Sequence, residues 1–444
     1  MESARHLPPA AIVLTAFRCG VRLTRHHWCV TTPAKPLPEP RSRYWRPAGL
    51  VLVTGGLLVT VITGSPQWLV LAGFSTAGAF GIPMVLADSP GLARRLLPVA
   101  LVLVAVLAAM AAVARATSDL PQRDREHDGG VIVTRAAAVE LLHGRNPYTA
   151  DFAPVLPASW RKVQGADGEL VDNPVGSHFP YLPAAALVNV PFVAVAEVFE
   201  RAWDPRVLGW VSVVGASVAL ARRPEPAWAR LGAVLGVGSA FAVIYLSWGT
   251  NDAFAVALAV TALAVADRSP GWAGVALAVA VSAKLLLAVL LPPLALVVWM
   301  SGGWAALRRW WTFPAVMTAT ILPALVVDHR SFLDDAVWFN LGRVEPRMPT
   351  SGLGLPAVAP GLDGPALALI TALGLVVALV VPLMAVRRWP SVWTAGASAG
   401  LALLAVLIPA RTFQVNYLVL VAALLPLVLM EVASRTGGEM STRH

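Results

Sequence analysis

Residues 249–293 read GTNDAFAVALAVTALAVADRSPGWAGVALAVAVSAKLLLAVLLPP, and they set the fold class. Three apolar runs, 252–266, 270–283 and 285–300, follow one another almost without interruption, and Lys284 is the only charge between 271 and 300. A soluble helix shows its apolar residues on one stripe, whereas these runs are apolar all round, the pattern of helices whose solvent is lipid or other helices. The same texture extends outward over most of the chain. Hydrophobic residues make up 57% and charged ones 13% of 444 residues, with a mean hydropathy of +0.68. That excludes an ordinary soluble globule.

Further apolar runs occur at 47–64, 67–87, 96–116, 206–221, 229–247, 312–327, 365–386, 391–409 and 415–432. The expected fold is therefore an all-α polytopic membrane protein with about twelve crossings. The basic pairs Arg94-Arg95, Arg222-Arg223, Arg308-Arg309 and Arg387-Arg388 all fall on one side if both termini are cytoplasmic. Lys and Arg concentrate in cytoplasmic loops, so this sets the orientation and places the loops at 117–179 and 328–364 outside. Residues 180–199, PYLPAAALVNVPFVAVAEVF, are apolar enough to cross, but a crossing there would invert every later basic pair. Pro180, Pro183 and Pro191 suit a re-entrant, interfacial or merged segment instead; if it does cross, the helices number thirteen.

The net charge of +9 fits anchoring of cytoplasmic loops, and no nucleic-acid signature accompanies it. Residues 1–46 form a basic, Pro-rich stretch in which an apolar patch precedes Arg18, Arg22 and Arg25, the reverse of signal-peptide order, so a cytoplasmic tail is expected. Both cysteines, Cys19 and Cys29, lie there without a CxxC or Cys/His grouping and read as free thiols. The remaining division is a two-helix addition at 47–95, a main transmembrane domain at 96–432 and a tail at 433–444.

The loop at 117–179 is too long to be a simple connection. Within it, HDGGVIVTRAAAVELLHGRNPYTADF, residues 127–152, carries a short amphipathic helix. Val133, Ala137, Ala138, Leu141 and Leu142 form its stripe and Arg135, Glu140 and His143 its other arc, the pattern of a helix lying in the membrane surface. Gly144 ends it and Asn146-Pro147-Tyr148 makes a turn. Asp128 stands at its start, where the helix dipole favours a carboxylate, and Gly129-Gly130 would let a substrate approach the backbone. A general base fits that position, and so does a helix cap.

An aspartate one helix ahead of a G-x-N-P-Y turn (Asp128, Gly144, Asn146, Pro147, Tyr148), followed by HFPYLP at 178–183 and by the 249–293 pattern, resembles the GT-C membrane glycosyltransferases. In particular it is similar to the bacterial family 87 group, which includes polyprenyl-phosphate-mannose-dependent α-1,2-mannosyltransferases. The resemblance covers roughly residues 96–432. It implies a multi-pass enzyme of the cell membrane with its site on the extracytoplasmic face. Such an enzyme takes a sugar, mannose first, from a polyprenyl phosphate and passes it with inversion to a hydroxyl of a lipid or glycan acceptor. It also implies Asp128 as the base, with Asp124 and Asp119 as fallbacks.

The departing phosphate needs a cation. Lys284 is the first candidate, against the alternative of a lysine that snorkels to the headgroups, and Arg411 in IPARTFQVNY is the second. Arg343 and Arg347, in FNLGRVEPRMPTSG, are weaker candidates. His127, Asn146, Tyr148, His178, Tyr181, Asn251 and Asp252 are the expected substrate contacts, although Asp252 also suits a helix cap and the histidines simple exposure. Trp160 and Trp338 are placed to stack on a sugar, while Trp45, Trp68, Trp310 and Trp311 read as interfacial anchors. Asp119, Asp124, Glu126 and Asp128 lack a recognised metal spacing, so no cofactor is expected, and a divalent metal is left open but not indicated. Nor is there a P-loop or nucleotide-sugar fingerprint, which favours a lipid-linked donor. The competing classes are a transporter or flippase, which calls for pseudo-symmetric halves and broken helices, and an O-antigen ligase or polymerase, which relies on a large late loop.

Overall fold

The structure is a computed structural model that describes residues 45–61, 67–119, 125–164, 169–359, 361–362 and 364–441. Residues 1–44 of the expected tail at 1–46, with both cysteines, and Asp124 lie outside the described residues. The helices, in chain order, begin with α1 (Trp45–Val61), α2 (Gln67–Thr76) running through a π turn into α3 (Ile82–Leu86), and α4 (Pro90–Ala116). The first loop holds α5 (Thr134–Leu142), and α6 (Ala184–Leu187) and α7 (Val190–Val198) follow it. Then come α8 (Arg206–Ala221), α9 (Ala227–Val237), α10 (Ala240–Trp248), α11 (Asn251–Val265) and α12 (Pro270–Ala283). The chain continues with α13 (Leu291–Arg308), α14 (Thr312–Leu333), α15 (Leu355–Val358), α16 (Gly364–Arg388), α17 (Val392–Leu407), α18 (Leu418–Leu424) and α19 (Leu427–Ser441). Extended backbone is confined, among the described residues, to the antiparallel pair β1 (Lys162–Gln164) and β2 (Leu170–Asp172) and the parallel pair β3 (Ser351–Gly352) and β4 (Thr412–Phe413).

Among the described residues seven helical spans are long and apolar enough to cross a membrane: Leu69–Leu86, Pro90–Ala116, Ala227–Trp248, Leu285–Arg308, Thr312–Trp338, Gly364–Arg388 and Val415–Arg435. This is the build of a multi-pass membrane protein. The runs expected at 206–221, 252–266, 270–283 and 391–409 fold as helices of 14 to 16 residues, shorter than the roughly 20 that span a hydrocarbon core. Of these, α11 lies wholly inside the bundle, whereas α8, α12 and α17 keep exposed side chains, Val207, Trp272 and Leu401 among them. In α11, Ala253, Ala255, Ala257, Ala259, Ala262 and Ala264 are all at most 1% exposed, and such small side chains let α8 and α12 pack close on either side.

Residues 180–199 do not form one helix. Pro183 and Pro191 divide them into α6 and α7, of four and nine residues, which fold back over α5. This changes the reading of α5, expected to lie on the membrane surface. None of its residues is exposed, and Ala137 and Ala138 are fully buried near Ala184, Ala185 and Ala186. Its alanine stripe suits close helix contact better than immersion in lipid.

The four basic pairs share one end of the helices. Arg223 donates to Asp267 Oδ1 at 2.7 Å, beyond the end of α11, and Trp393, just after Arg388, donates to Glu225 at 2.9 Å. Thr312, three residues after Arg309, donates to the Gly271 carbonyl, and the charge of Arg94 acts on Arg230. The start of α11 and the end of α12, with Asp252 and Lys284, are at the other end.

Candidate functional site

The first loop is fastened to the turn between α10 and α11 before it reaches Asp128. The His127 amide donates to the Trp248 carbonyl at 2.8 Å, and Gly130 meets Gly249 backbone to backbone. A Cβ on Gly130 would stand 1.8 Å from the Gly249 oxygen, and Gly249 itself has φ +87°, a conformation glycine adopts without strain. Gly130 therefore serves the crossing of two chain segments, not the approach of a substrate as expected from sequence. Gly129 faces the Tyr181 hydroxyl, which would lie 3.0 Å from a Cβ there.

Asp128 opens a π turn, Asp128–Val133, that leads into α5. It does not cap the helix; His127 does, its Nδ1 accepting from the Gly130 amide at 3.1 Å. Asp128 is 6% exposed as a residue; its Oδ1 accepts from the Gly129 amide at 2.7 Å and Oδ2 from Asn173 Nδ2 at 2.8 Å. Asn173 is itself fixed, because Nδ2 also donates to the Trp160 carbonyl and Oδ1 accepts from the Val175 amide. These donors are neutral, so they orient the carboxylate without cancelling its charge, which is what a base requires. His127 Nδ1 lies 3.2 Å from Asp128 Oδ1, and burial holds the imidazole below the usual histidine range despite that neighbour.

Lys284 does not snorkel. At Lys284 the helix breaks: its backbone is extended (φ −150°, ψ 100°) between α12 and a tight 3-10 turn, Leu285–Leu290. The break turns the ammonium inward, where Nζ lies 2.9 Å from Asp252 Oδ1 and 4.3 Å from the centre of the Tyr417 ring. Asp252 is fully buried, and its other oxygen accepts from Asn416 Nδ2 at 2.6 Å. A buried charge is tolerable only when paired, so Asp252 is a partner of Lys284 and not a helix cap.

The two carboxylates form one polar cluster. Gly130 meets Gly249 and Thr250 just before Asp252, the Tyr181 hydroxyl lies against Gly129, and the next residue, Leu182, donates its amide to the Ser282 carbonyl at 3.2 Å, two residues before Lys284. Burial pushes the Tyr181 hydroxyl well above the usual tyrosine range, keeping it a proton donor. Asn251 supports the cluster from behind, donating to Thr134 Oγ1, which donates to the Gly129 carbonyl at 2.8 Å. A cleft beside it is lined by Thr134, Asn189, Arg206, Thr250 and Asn251 together with apolar residues of α8 and α11.

Other expected contacts go elsewhere. Asn146 Oδ1 accepts from the Tyr148 amide, an ordinary turn cap, and the Tyr148 ring is buried against Phe179 and Phe332 with its hydroxyl bonded to the Tyr181 carbonyl. His178 is neither exposed nor in the cluster: its Nδ1 is 2.6 Å from Asp335 Oδ1. Arg411 is exposed and bonded to Thr350, tying β4 to the second loop. Asp119 is exposed just beyond α4. Trp160 is 7% exposed and packs near His127 and Trp248, which removes it as a sugar platform, while Trp338 carries Arg343 on its face at 5.3 Å.

Asn173, Asn416, Tyr417 and Asp335 were not singled out in the sequence. Asn173 precedes a proline as Asn146 does, and nothing local distinguishes an asparagine that braces a carboxylate from one that caps a turn. Among the described residues no group of three or more His, Cys, Asp or Glu side chains is placed to hold a metal ion. Comparison with family models, curated proteins and solved structures finds no match for this chain.

Proposed function

We propose that the chain is an inverting membrane glycosyltransferase that moves a sugar, mannose first, from a polyprenyl-phosphate donor to a hydroxyl of an envelope lipid or glycan. The observation that carries this reading is the gathering of Asp128, Tyr181, Lys284 and Asp252, remote in sequence, into one buried cluster at the helix ends away from the basic pairs. By the positive-inside rule that end is extracytoplasmic. Counting α1, the seven long spans and the shorter α8, α11, α12 and α17, which need flanking residues to complete a crossing, and setting residues 184–198 aside, gives twelve crossings, the number this reading calls for.

In this scheme Asp128 takes the proton of the acceptor hydroxyl as its oxygen attacks the anomeric carbon. The bond from that carbon to the phosphate oxygen breaks, and the electron pair leaves with the polyprenyl phosphate. Lys284 offsets the charge on the leaving phosphate, sharing its ammonium between Asp252 and the phosphate. A neutral Tyr181 hydroxyl is available to the same oxygens as a hydrogen-bond donor. The test is transfer of label from polyprenyl-phosphate-mannose to a lipid fraction in membranes carrying the wild-type chain or Lys284→Gln. Transfer by the first and its loss by the second is expected; absence of transfer from every polyprenyl-phosphate sugar tried would overturn the proposal.

One feature favours a second reading, transport of a charged solute: a helix broken at a buried ion pair, Lys284 with Asp252, is also how transporters build midplane sites. Uptake or flipping that depends on Lys284, in the absence of sugar transfer, would favour it.

A further inference from the structure

We propose that His178 and Asp335 are positioning residues for the Asp128 cluster, acting through the strip of chain 173–181; the proposal rests on Asp128 being the reacting base. The strip reaches the cluster at both ends. Asn173 donates to Asp128, and the Tyr181 hydroxyl lies against Gly129. Between those ends the strip is gripped by the last turn of α14 and the residues just after it. Asp335, in the π turn Asp334–Trp338, accepts from His178 Nδ1 at 2.6 Å and from the Phe179 amide at 2.8 Å. Phe339 packs tilted against the His178 ring at 4.6 Å between centroids, and Asn340 Nδ2 donates to the Pro180 carbonyl at 3.0 Å. Phe332 meets the edge of Tyr148, whose hydroxyl donates to the Tyr181 carbonyl at 2.9 Å.

His178 and Asp335 are 7% and 4% exposed, so water is a poor substitute for either partner. Because Nδ1 faces a carboxylate it bears the proton, and Nε2 is buried without a hydrogen-bond partner among the described residues. The imidazole thus makes one polar bond, and that bond fixes the strip relative to α14. A shift of the helix end is passed along one short segment to both Asn173 and Tyr181, and so to the orientation of Asp128. Coupling of this kind runs between the second loop, which starts at the end of α14, and the base in the first loop.

The test is amide hydrogen exchange on the full chain in lipid nanodiscs, for wild type, Asp335→Ala, His178→Ala and His178→Asn, with Val358→Ala, exposed in the same loop, as a control. An asparagine amide can donate where Nδ1 does, so it separates the bond from the ring. Asp335→Ala and His178→Ala are expected to raise exchange about ten-fold in 173–181 and also in 128–133, leaving α11 and α12 unchanged, while His178→Asn stays near wild type. In the transfer assay the two alanine variants should lower kcat with little change in KM, and His178→Asn should restore it. Faster exchange in 178–181 alone, a rise spread through α11 and α12, or His178→Asn as disruptive as His178→Ala would each overturn the proposal. Exchange does not depend on a sugar donor, so absence of transfer by wild type would count against the glycosyltransferase reading and leave the exchange result to decide the positioning role.

Discussion

Asp128 and Asp252 are alike in sequence, each an aspartate at the start of a helix, and their bonding partners give them different chemistry. Asp252 is committed to Lys284 and Asn416, whereas Asp128 is held by amide donors that leave its charge in place. Removing one member of a buried pair strands the other, so Asp252→Asn should destabilise the chain by about 3–5 kcal/mol in thermal or denaturant unfolding. Asp252→Asn combined with Lys284→Met should recover most of the loss. His127 gives a prediction in pH. Its folded form favours the neutral ring, so the stability of its cap on Gly130 is fully present above about pH 6.5 and is lost as the pH falls below that value. Unfolding temperatures measured from about pH 8 to pH 5 should fall less in His127→Asn, whose amide oxygen can still accept from Gly130. At this scale Lys284 is legible, because a charge in an apolar run stands out, whereas Asp252 reads in sequence as a helix cap and only the fold supplies its pairing with Lys284. Asn173 and Asn416 are not legible, since their value lies in a partner far along the chain.

At the level of elements, the crossing of Gly130 over Gly249 fixes where the π turn and α5 begin. Gly130→Ala would force a methyl group into the Gly249 oxygen, and a cost of about 3 kcal/mol or more is expected, read as lost folded yield and a lower melting temperature. Gly129→Ala meets only the Tyr181 hydroxyl at the end of a longer side chain, so its effect should be a local shift with smaller loss of stability. Both glycines are visible in the sequence, but the use of Gly130 is not. A close approach of backbones is a property of a pair, and only the fold supplies Gly249. The same holds for α5: a stripe of Val, Ala and Leu marks an apolar face without saying whether lipid or another helix covers it, and Pro183 and Pro191 decided that by folding α6 and α7 back over it.

Across the whole molecule, composition and hydropathy made the membrane class legible, and the expected common side of the four basic pairs agrees with their common end in the fold. Helix lengths were less legible, because a short central helix such as α11 is as apolar as a long one and is set apart by being surrounded by protein. The orientation gives a direct prediction. With Cys19 and Cys29 replaced by serine, a cysteine at Asp151, exposed in the first loop, should react with an impermeant maleimide in intact cells, and one at Arg388 should react only after the membrane is opened. The central claim is that Asp128 is the base of a sugar transfer, and single-turnover transfer from polyprenyl-phosphate-mannose by wild type, Asp128→Asn and Asp119→Asn, at matched protein level, tests it most directly. Asp128→Asn should lose at least about a hundred-fold in rate and Asp119→Asn should keep it. Full transfer by Asp128→Asn would contradict the account.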